Sequence, residues 1–178
     1  GVDVALDAAG NIHAVWPAGV STVQTARFDA GAAAWSAISD LATGLPGPGQ
    51  PGPRVAMNDA GDAVATWTRG AALEAAIYPA AGATWNAAAT LSNVGLYNEA
   101  ARAVVDAAGI ATVAWTRTTS TARTLQVARY DPMAAAWSPA ADLPDQGTSA
   151  YGPAGIGVDA SGNVQVVWSQ SLASPGIR

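Results

Sequence analysis

The apolar positions of this chain fall into short runs separated by turn-forming residues. In its best-preserved stretch, Ala101 to Leu143, runs such as AVV and ATVAW alternate with segments rich in Asp, Gly, Pro and Ser. None of these runs follows the 3.6-residue periodicity of an amphipathic helix, and several are apolar on both faces, as in strands that are covered on both sides. The pattern predicts an all-β protein of short strands.

The runs recur at a fixed period. Four tryptophans are spaced by 51, 48 and 53 residues, and each has a glycine six residues before it and an Asp or Asn nine residues before it. These tryptophans are Trp16, Trp67, Trp115 and Trp168. A second series has an aromatic residue followed after seven residues by a tryptophan, and after six more by a leucine. Its tryptophans are Trp35, Trp85 and Trp137. A period near 50 indicates a propeller or a repeat array.

Each full copy contains four apolar runs. In the second copy these are Val55–Asn58, Ala63–Thr68, Leu73–Tyr78 and Thr84–Leu91. An Asp/Asn-x-x-Gly segment joins the first two runs, and its side chain and glycine suit a tight hairpin. Polarity increases toward the fourth run, so we expect burial to fall from the first strand to the fourth, with the first strand nearest a common axis.

These features predict a β-propeller of four-stranded blades. The boundaries are residues 1–50, 51–99 and 100–152 for three blades and 153–178 for a half blade, which make one partial domain over residues 1–178. Alanine suits a crowded inner region, and the seven tryptophans are expected to fill the wider gaps between neighbouring sheets. A sandwich would not require a 50-residue period.

Two motifs carry a resemblance to known repeats. Tyr130-Asp131-Pro132 followed by Trp137 resembles the second half of a kelch repeat, although the kelch glycine doublet after strand two is replaced by Trp-Thr. The stretches VDAAGIATVAW and VDASGNVQVVW are similar to the VDxxGNAxAVW repeat of bacterial secreted and surface proteins. The resemblance implies a propeller and a location at the cell surface, outside the cell or in the periplasm. It implies little about activity, because propellers carry many unrelated functions.

The fourth copy keeps only its first two strands, so we expect that the chain does not close a ring by itself. Its expected partners are the remaining blades of a longer chain or another copy, together with a glycan or a protein as ligand. An imperfect four-bladed ring is the alternative.

The amino-acid composition limits the partners and the kinds of site that we expect. The net charge of −5 disfavours a nucleic-acid partner, and no apolar stretch has the length of a membrane span. Cysteine is absent and His13 is the sole histidine, which argues against zinc sites and Cys-His catalysis, so no cofactor is predicted. His13 is expected to be a packing or surface residue. The Asp/Asn turns supply too few oxygens for calcium, so we interpret them as structural.

Arginines provide the remaining candidate site. Five of them fall in the links at one predicted rim: Arg54, Arg69, Arg102, Arg117 and Arg123. That rim also carries acids and is mixed in sign, while the opposite, hairpin rim is strongly acidic. One interpretation is that these arginines are solvent-exposed loop residues without a binding role. The hypothesis is that the arginine rim binds an anion, such as a carboxylate-bearing glycan.

Three functions remain open. The favoured one is a non-enzymatic binding or scaffolding module of a bacterial extracellular or surface protein. The second is a lectin-like propeller with sites between blades. The third is a fragment of a sialidase-like hydrolase, a family that uses several arginines with a tyrosine and acids. Tyr97, Glu99 and Tyr151 fall in the links between blades, and no paired tyrosine and glutamate can be assigned there.

Overall fold

A computed structural model describes residues 1–45, 51–92, 97–144 and 149–170 of the chain. All regular elements in these ranges are β-strands, which confirms the predicted all-β fold. The same ranges hold no helix with the length and apolar character to cross a membrane.

The strands form four antiparallel sheets in chain order. Sheet 1 contains β1 (Asp3–Leu6), β2 (Ile12–Ala18), β3 (Thr22–Asp29), β4 (Ala34–Trp35) and β5 (Ser39–Ala42). Sheet 2 contains β6 (Arg54–Met57), β7 (Ala63–Arg69), β8 (Ala72–Tyr78) and β9 (Ala89–Thr90). Sheet 3 contains β10 (Tyr97–Val105), β11 (Ala111–Thr118), β12 (Arg123–Asp131), β13 (Ala136–Trp137) and β14 (Ala141–Asp142). Sheet 4 contains β15 (Ala150–Val158) and β16 (Val164–Gln170).

The hairpins between the first two strands of each sheet are alike, as predicted. In sheet 3, one Asp106 oxygen accepts hydrogen bonds from the backbone N–H groups of Ala108 and Ile110, both at 2.9 Å. Gly109 closes the turn at φ 78°. The matching glycines also have positive φ, near that of Gly109: Gly10, Gly61 and Gly162. The Asp or Asn side chain therefore accepts hydrogen bonds from backbone N–H groups of the turn, which have no partner in a neighbouring strand.

The strand registers repeat from sheet to sheet. Trp16 pairs with Gln24, Trp67 with Glu74 and Trp115 with Gln126. In each sheet, the tryptophan of the second strand therefore lies directly opposite a polar residue of the third strand. The second aromatic series repeats as well, since each pair has ring centroids 5.4–5.5 Å apart at a tilt of 56–59°. Those pairs are Phe28–Trp35, Tyr78–Trp85 and Tyr130–Trp137. Repeated sequence thus gives repeated geometry.

The prediction of a continuous fourth strand was wrong. Within the predicted Thr84–Leu91 only β9 is a strand, and Trp85 lies outside it. The segment instead meets the third strand twice, where Asn86 N–H donates to the Ile77 carbonyl and Leu91 N–H to the Leu73 carbonyl, both at 2.8 Å. In between, small residues such as Ala87 and Ala88 have little side chain to pack on a sheet, so the ladder opens there.

The expected fall in burial from the first strand to the fourth was also wrong. The second and third strands are the most buried: β7 is buried over six of its seven residues, and β8 likewise. The first strands are half-buried, and β1 alternates between half-buried and exposed residues. The second and third strands of sheets 2 and 3 are also paired with a strand on each side within their own sheet, whereas the first strands have one edge without a strand partner.

Successive sheets pack face to face. The first strands are neighbours in series, with β1 beside β6, β6 beside β10 and β10 beside β15. Two apolar cores lie in the seams. The seam between sheets 1 and 2 contains Val15, Val23 and Trp67, and the seam between sheets 2 and 3 contains Val64, Leu73 and Trp115. Each second-strand tryptophan of these sheets therefore packs on the sheet before it.

Gly61 provides a test of the hairpin geometry. Its φ is 91°, and an added Cβ would lie 3.3 Å from Asp7 Oδ2 of sheet 1. We expect Gly61→Ala to lower the free energy of unfolding by about 1–2 kcal/mol from backbone strain alone, measured by urea denaturation. Gly157→Ala is the control, because a Cβ there meets nothing within 4 Å and its φ is not left-handed. Equal losses in both variants would contradict the assignment.

Candidate functional site

A cleft of about 300 Å³ opens where the first strands of sheets 1, 2 and 3 adjoin. Its lining includes Asp3, Arg54, Thr66, Trp67 and Arg102. The cleft is thus formed by three sheets at once, and two of the five arginines of the sequence hypothesis lie in it.

The repeat places the two arginines side by side. Arg54 and Arg102 both stand thirteen residues before their tryptophans. Arg54 pairs with Thr66 in β7, and Arg102 pairs with Ala114 in β11, at the same position of the ladder. Because β6 and β10 are neighbouring first strands, equal register brings both guanidinium groups to one opening.

The charges of the cleft are only partly compensated. Asp3 Oδ1 lies 3.9 Å from Arg54 Nη1, and Asp3 Oδ2 accepts a hydrogen bond from the Val55 N–H at 3.0 Å. Arg102 Nη1 donates to the Ala101 carbonyl at 3.3 Å, and the described residues give it no carboxylate partner. Asp3 is thus the single carboxylate of the described lining and, of the two arginines, contacts only Arg54, so guanidinium N–H groups at the cleft remain without a carboxylate partner among the described residues.

Thr66 is a buried polar residue behind the wall of the cleft. The residue is 1% exposed, and its Oγ1 has no hydrogen-bond partner among the described residues. A buried hydroxyl without a partner costs about 1–3 kcal/mol. Because this oxygen is buried, the cost lowers the stability of the seam and gives no contact for a ligand.

The other three predicted arginines lie outside the lining of the cleft. Arg69 donates through Nε to Glu74 Oε1 at 2.7 Å and through Nη1 to the Thr43 carbonyl at 2.8 Å. Arg117 is half-buried in β11, and its Nε has no partner within the described ranges. Arg123 lies over the Tyr151 ring, 5.1 Å from its centroid. The structure therefore does not bring all five together.

The tryptophans differ in environment although their registers match. Trp67 and Trp115 are 3% and 0% exposed and lie in the two seams. Trp85 and Trp137 pack at the margins of those seams. Trp35 is 53% exposed, while Trp16 and Trp168 are half-buried. The two central tryptophans are thus packing residues rather than ligand platforms.

Two buried partners of these tryptophans were missed in the sequence. The indole Nε1 of Trp67 donates to Glu74 Oε2 at 2.7 Å, so Glu74 joins Trp67 to Arg69. In sheet 3 the indole of Trp115 instead donates to Asn98 Oδ1 at 3.0 Å. The only sequence signal for Glu74 was its position seven residues after Trp67. The two residues become direct neighbours because β7 and β8 pair Trp67 with Glu74.

Catalytic and metal-binding groups are sparse in the described ranges. They contain no cluster of three His, Cys, Asp or Glu side chains that could hold a metal. Tyr97 is 65% exposed, and Tyr151 faces Arg123 rather than the cleft. Glu99 belongs to β10, but its side chain lies outside the described residues, as does Asp145 of the acidic links.

A second groove, of about 710 Å³, lies between sheets 1 and 2 at their outer strands. Its lining includes His13, which is 1% exposed and packs edge-on against Tyr78 and Trp85 at 4.3 and 5.1 Å between centroids. Burial, aided by the positive charge of Arg27 and opposed by Asp7, lowers the pKa of His13 to about 4. Val64 occupies the equivalent position in sheet 2, so His13 is a neutral packing residue.

Comparisons with known proteins give a likeness of fold. No family model and no curated protein matches the chain. A mutant of the NanB sialidase from Streptococcus pneumoniae is similar over 93% of this chain, with a TM-score of 0.54 and 11% identity. A hypothetical protein from Leishmania major is similar over the same share, with a TM-score of 0.46 and 13% identity. The chain spans 26% of the sialidase and 61% of the second protein.

The pKa of His13 has a measurable consequence. In the unfolded chain its pKa returns to the ordinary 6.5, so as pH falls the unfolded state takes up a proton before the folded state does. We expect the free energy of unfolding to fall by about 2 kcal/mol between pH 7 and pH 5, as measured by urea denaturation. His13→Val should remove this loss, because valine does not titrate and already fits the matching site at Val64.

The aspartates with a lowered pKa do not produce a similar loss of stability between pH 7 and pH 5. Hydrogen bonds hold the pKa of Asp29 and Asp159 below the ordinary 3.8, and Asn11 outweighs burial to do the same for Asp7. Their stabilisation is present above pH 3.8 and is lost only below it. An unchanged slope between pH 7 and pH 5 in His13→Val would refute the role of His13.

Proposed function

We propose that this chain is a non-enzymatic binding and scaffolding module made of β-propeller blades, and that its cleft binds an anionic group such as the carboxylate of an acidic glycan. The observation that carries the proposal is the pairing of Arg54 with Arg102 in the cleft, where Asp3 compensates only part of their charge. The resemblance of the repeat to bacterial surface proteins supports a location of such a module outside the cytoplasm.

The propeller interpretation is supported by three features. Sheets 1 to 3 repeat one meander in register, their first strands adjoin in series, and the fold is similar to part of a sialidase. In a propeller the first strands surround the axis, where ligands commonly reach the ends of several blades. The cleft lies at these first strands and is lined by three sheets.

The arrangement favours binding over hydrolysis. A sialidase-like hydrolase would need a tyrosine and an acid beside its arginines. The described lining of the cleft includes one carboxylate, Asp3, and it includes no tyrosine. Asp3 is also engaged, because it accepts from Val55 and faces Arg54. The shared fold does not transfer an activity at 11% identity.

Two alternatives keep the same fold. A lectin-like propeller would bind neutral sugars between blades, and the groove beside His13 is the place for it. A sialidase-like fragment would cleave a sialoside, and the structural likeness to the NanB sialidase is the observation that favours it. Release of the fluorophore from an aryl sialoside by the chain would establish hydrolysis.

Binding can be tested on an array of glycans that end in sialic acid, in glucuronic acid or in a neutral sugar. We expect acidic glycans to bind, and the paired substitution Arg54→Ala with Arg102→Ala to weaken them by roughly 10- to 100-fold, the loss of about 1.5–3 kcal/mol for a charge-assisted hydrogen bond. The interaction should also weaken with added salt, because both guanidinium groups are partly exposed.

Arg129→Ala is the matched control, since Arg129 lies in β12 and is not part of the lining of the cleft. It removes one positive charge, as each member of the pair does, and should leave the affinity unchanged. Binding that survives the paired substitution, or is lost equally in the control, would refute the cleft as the site. A preference for neutral glycans would favour the lectin-like alternative.

A further inference from the structure

One face of sheet 1 is apolar and open to solvent. Val4 and Leu6 of β1 are 52% and 57% exposed, and Trp35 is 53% exposed. Strand register puts these side chains on one face, because Val4 pairs with Ala14, Leu6 with Ile12, and Ile12 with Phe28, which pairs with Trp35. We call this the leading face of sheet 1.

The matching faces of sheets 2 and 3 are covered. Val55 and Val105 occupy the positions of Val4 and Leu6 in sheets 2 and 3, and both pack into the seams. Trp67 and Trp115 lie on these same faces and are buried against the preceding sheet. The leading face therefore repeats a surface that elsewhere in this chain always has a sheet on it.

The hairpin glycines give a second, independent indication. At Gly61, Gly109 and Gly162 an added Cβ would lie 3.2–3.3 Å from a carboxylate oxygen of the preceding sheet's turn. At Gly10 it would meet only the Ala30 Cβ, at 3.6 Å. Sheet 1 therefore has the glycine of an inter-sheet contact, but no carboxylate of another sheet lies against it.

Sheet 4 presents the complementary half of such a junction. Val167 occupies the position of Val15, which packs on sheet 2, yet Val167 is 63% exposed. Asp159 reproduces the turn of Asp7, since Asn163 Nδ2 donates to Asp159 Oδ2 at 2.8 Å, as Asn11 Nδ2 does to Asp7 Oδ2 at 2.6 Å. Asp7 Oδ2 is the oxygen that faces Gly61. The carboxylate lacking at Gly10 is therefore available at Asp159.

We propose that the leading face of sheet 1 docks sheet 4 of a second copy of this chain, with Asp159 of one copy facing Gly10 of the next. The contact joins two different surfaces, so it is heterologous and produces head-to-tail oligomers. It continues the junction that already joins sheets 1 to 4, and its energy comes from burying the exposed valine, leucine and tryptophan side chains.

Sedimentation velocity over a range of concentrations tests the contact. The unmodified chain should associate as its concentration rises, into an open series of copies or into a closed ring where the rotation between copies closes. Val4→Asp should block one surface and Val167→Asp the other, so each variant alone should remain monomeric. Each keeps the surface that the other has lost, so an equal mixture should form a one-to-one dimer that does not grow. Both sites are exposed, and far-ultraviolet circular dichroism verifies the fold.

Val20→Asp is the control, because Val20 is 64% exposed in the β2–β3 turn and lies on neither surface. It should associate like the unmodified chain. A monomeric unmodified chain at every concentration would overturn the proposal. So would association that Val4→Asp abolishes but Val167→Asp leaves intact, since this would mean that two leading faces pair with each other.

Discussion

Close packing of each sheet on the next is the constraint on which the rest of the structure depends. The hairpin glycine adopts positive φ to close its own turn, and in sheets 2 to 4 an added Cβ would also lie only 3.2–3.3 Å from a carboxylate oxygen of the preceding sheet. At the second seam, Asn58 Nδ2 adds a hydrogen bond to the Asp106 carbonyl at 2.7 Å. Below these turns Trp67 and Trp115 fill the seams with the largest side chains available. A single short motif, Asp/Asn-x-x-Gly with a tryptophan six residues later, therefore builds a turn and a sheet-to-sheet contact together.

The cleft is a consequence of the same packing. Asp3 of β1 accepts a hydrogen bond from the backbone of β6, which fixes sheet 1 against sheet 2 at the mouth of the cleft. The neighbouring first strands then carry Arg54 and Arg102 at equal height. Because these strands are only half-buried, charged side chains can stand on them without a large cost of desolvation. A rigid seam with a polar edge is a suitable place for a binding site.

Differences between the copies show where the repeat tolerates change. The partner of the seam tryptophan is Glu74 in one sheet and Asn98 in the next, and both accept its indole N–H. His13 stands where sheet 2 has Val64, and it remains neutral because burial lowers its pKa. Thr66 and His13 also keep buried polar atoms that lack partners among the described residues. Such positions lower stability without disturbing the register, since the ladders and glycines determine the register.

Local chemistry alone was enough to predict the strand class, the turns and the repeat. An Asp or Asn before a glycine forms its hairpin from atoms within five residues, and evenly spaced tryptophans imply equivalent positions whatever surrounds them. The fourth strand was mispredicted, because Trp85 suggests a strand while the small residues after it cannot hold one. The tertiary structure alone decided which of the five arginines meet. Arg54 and Arg102 come together because their strands are neighbours, whereas Arg69 is drawn to Glu74 by a ladder contact. Burial was decided in the same way: Val4 and Val55 are alike in sequence, and only the presence or absence of a sheet against each makes one exposed and the other part of a core.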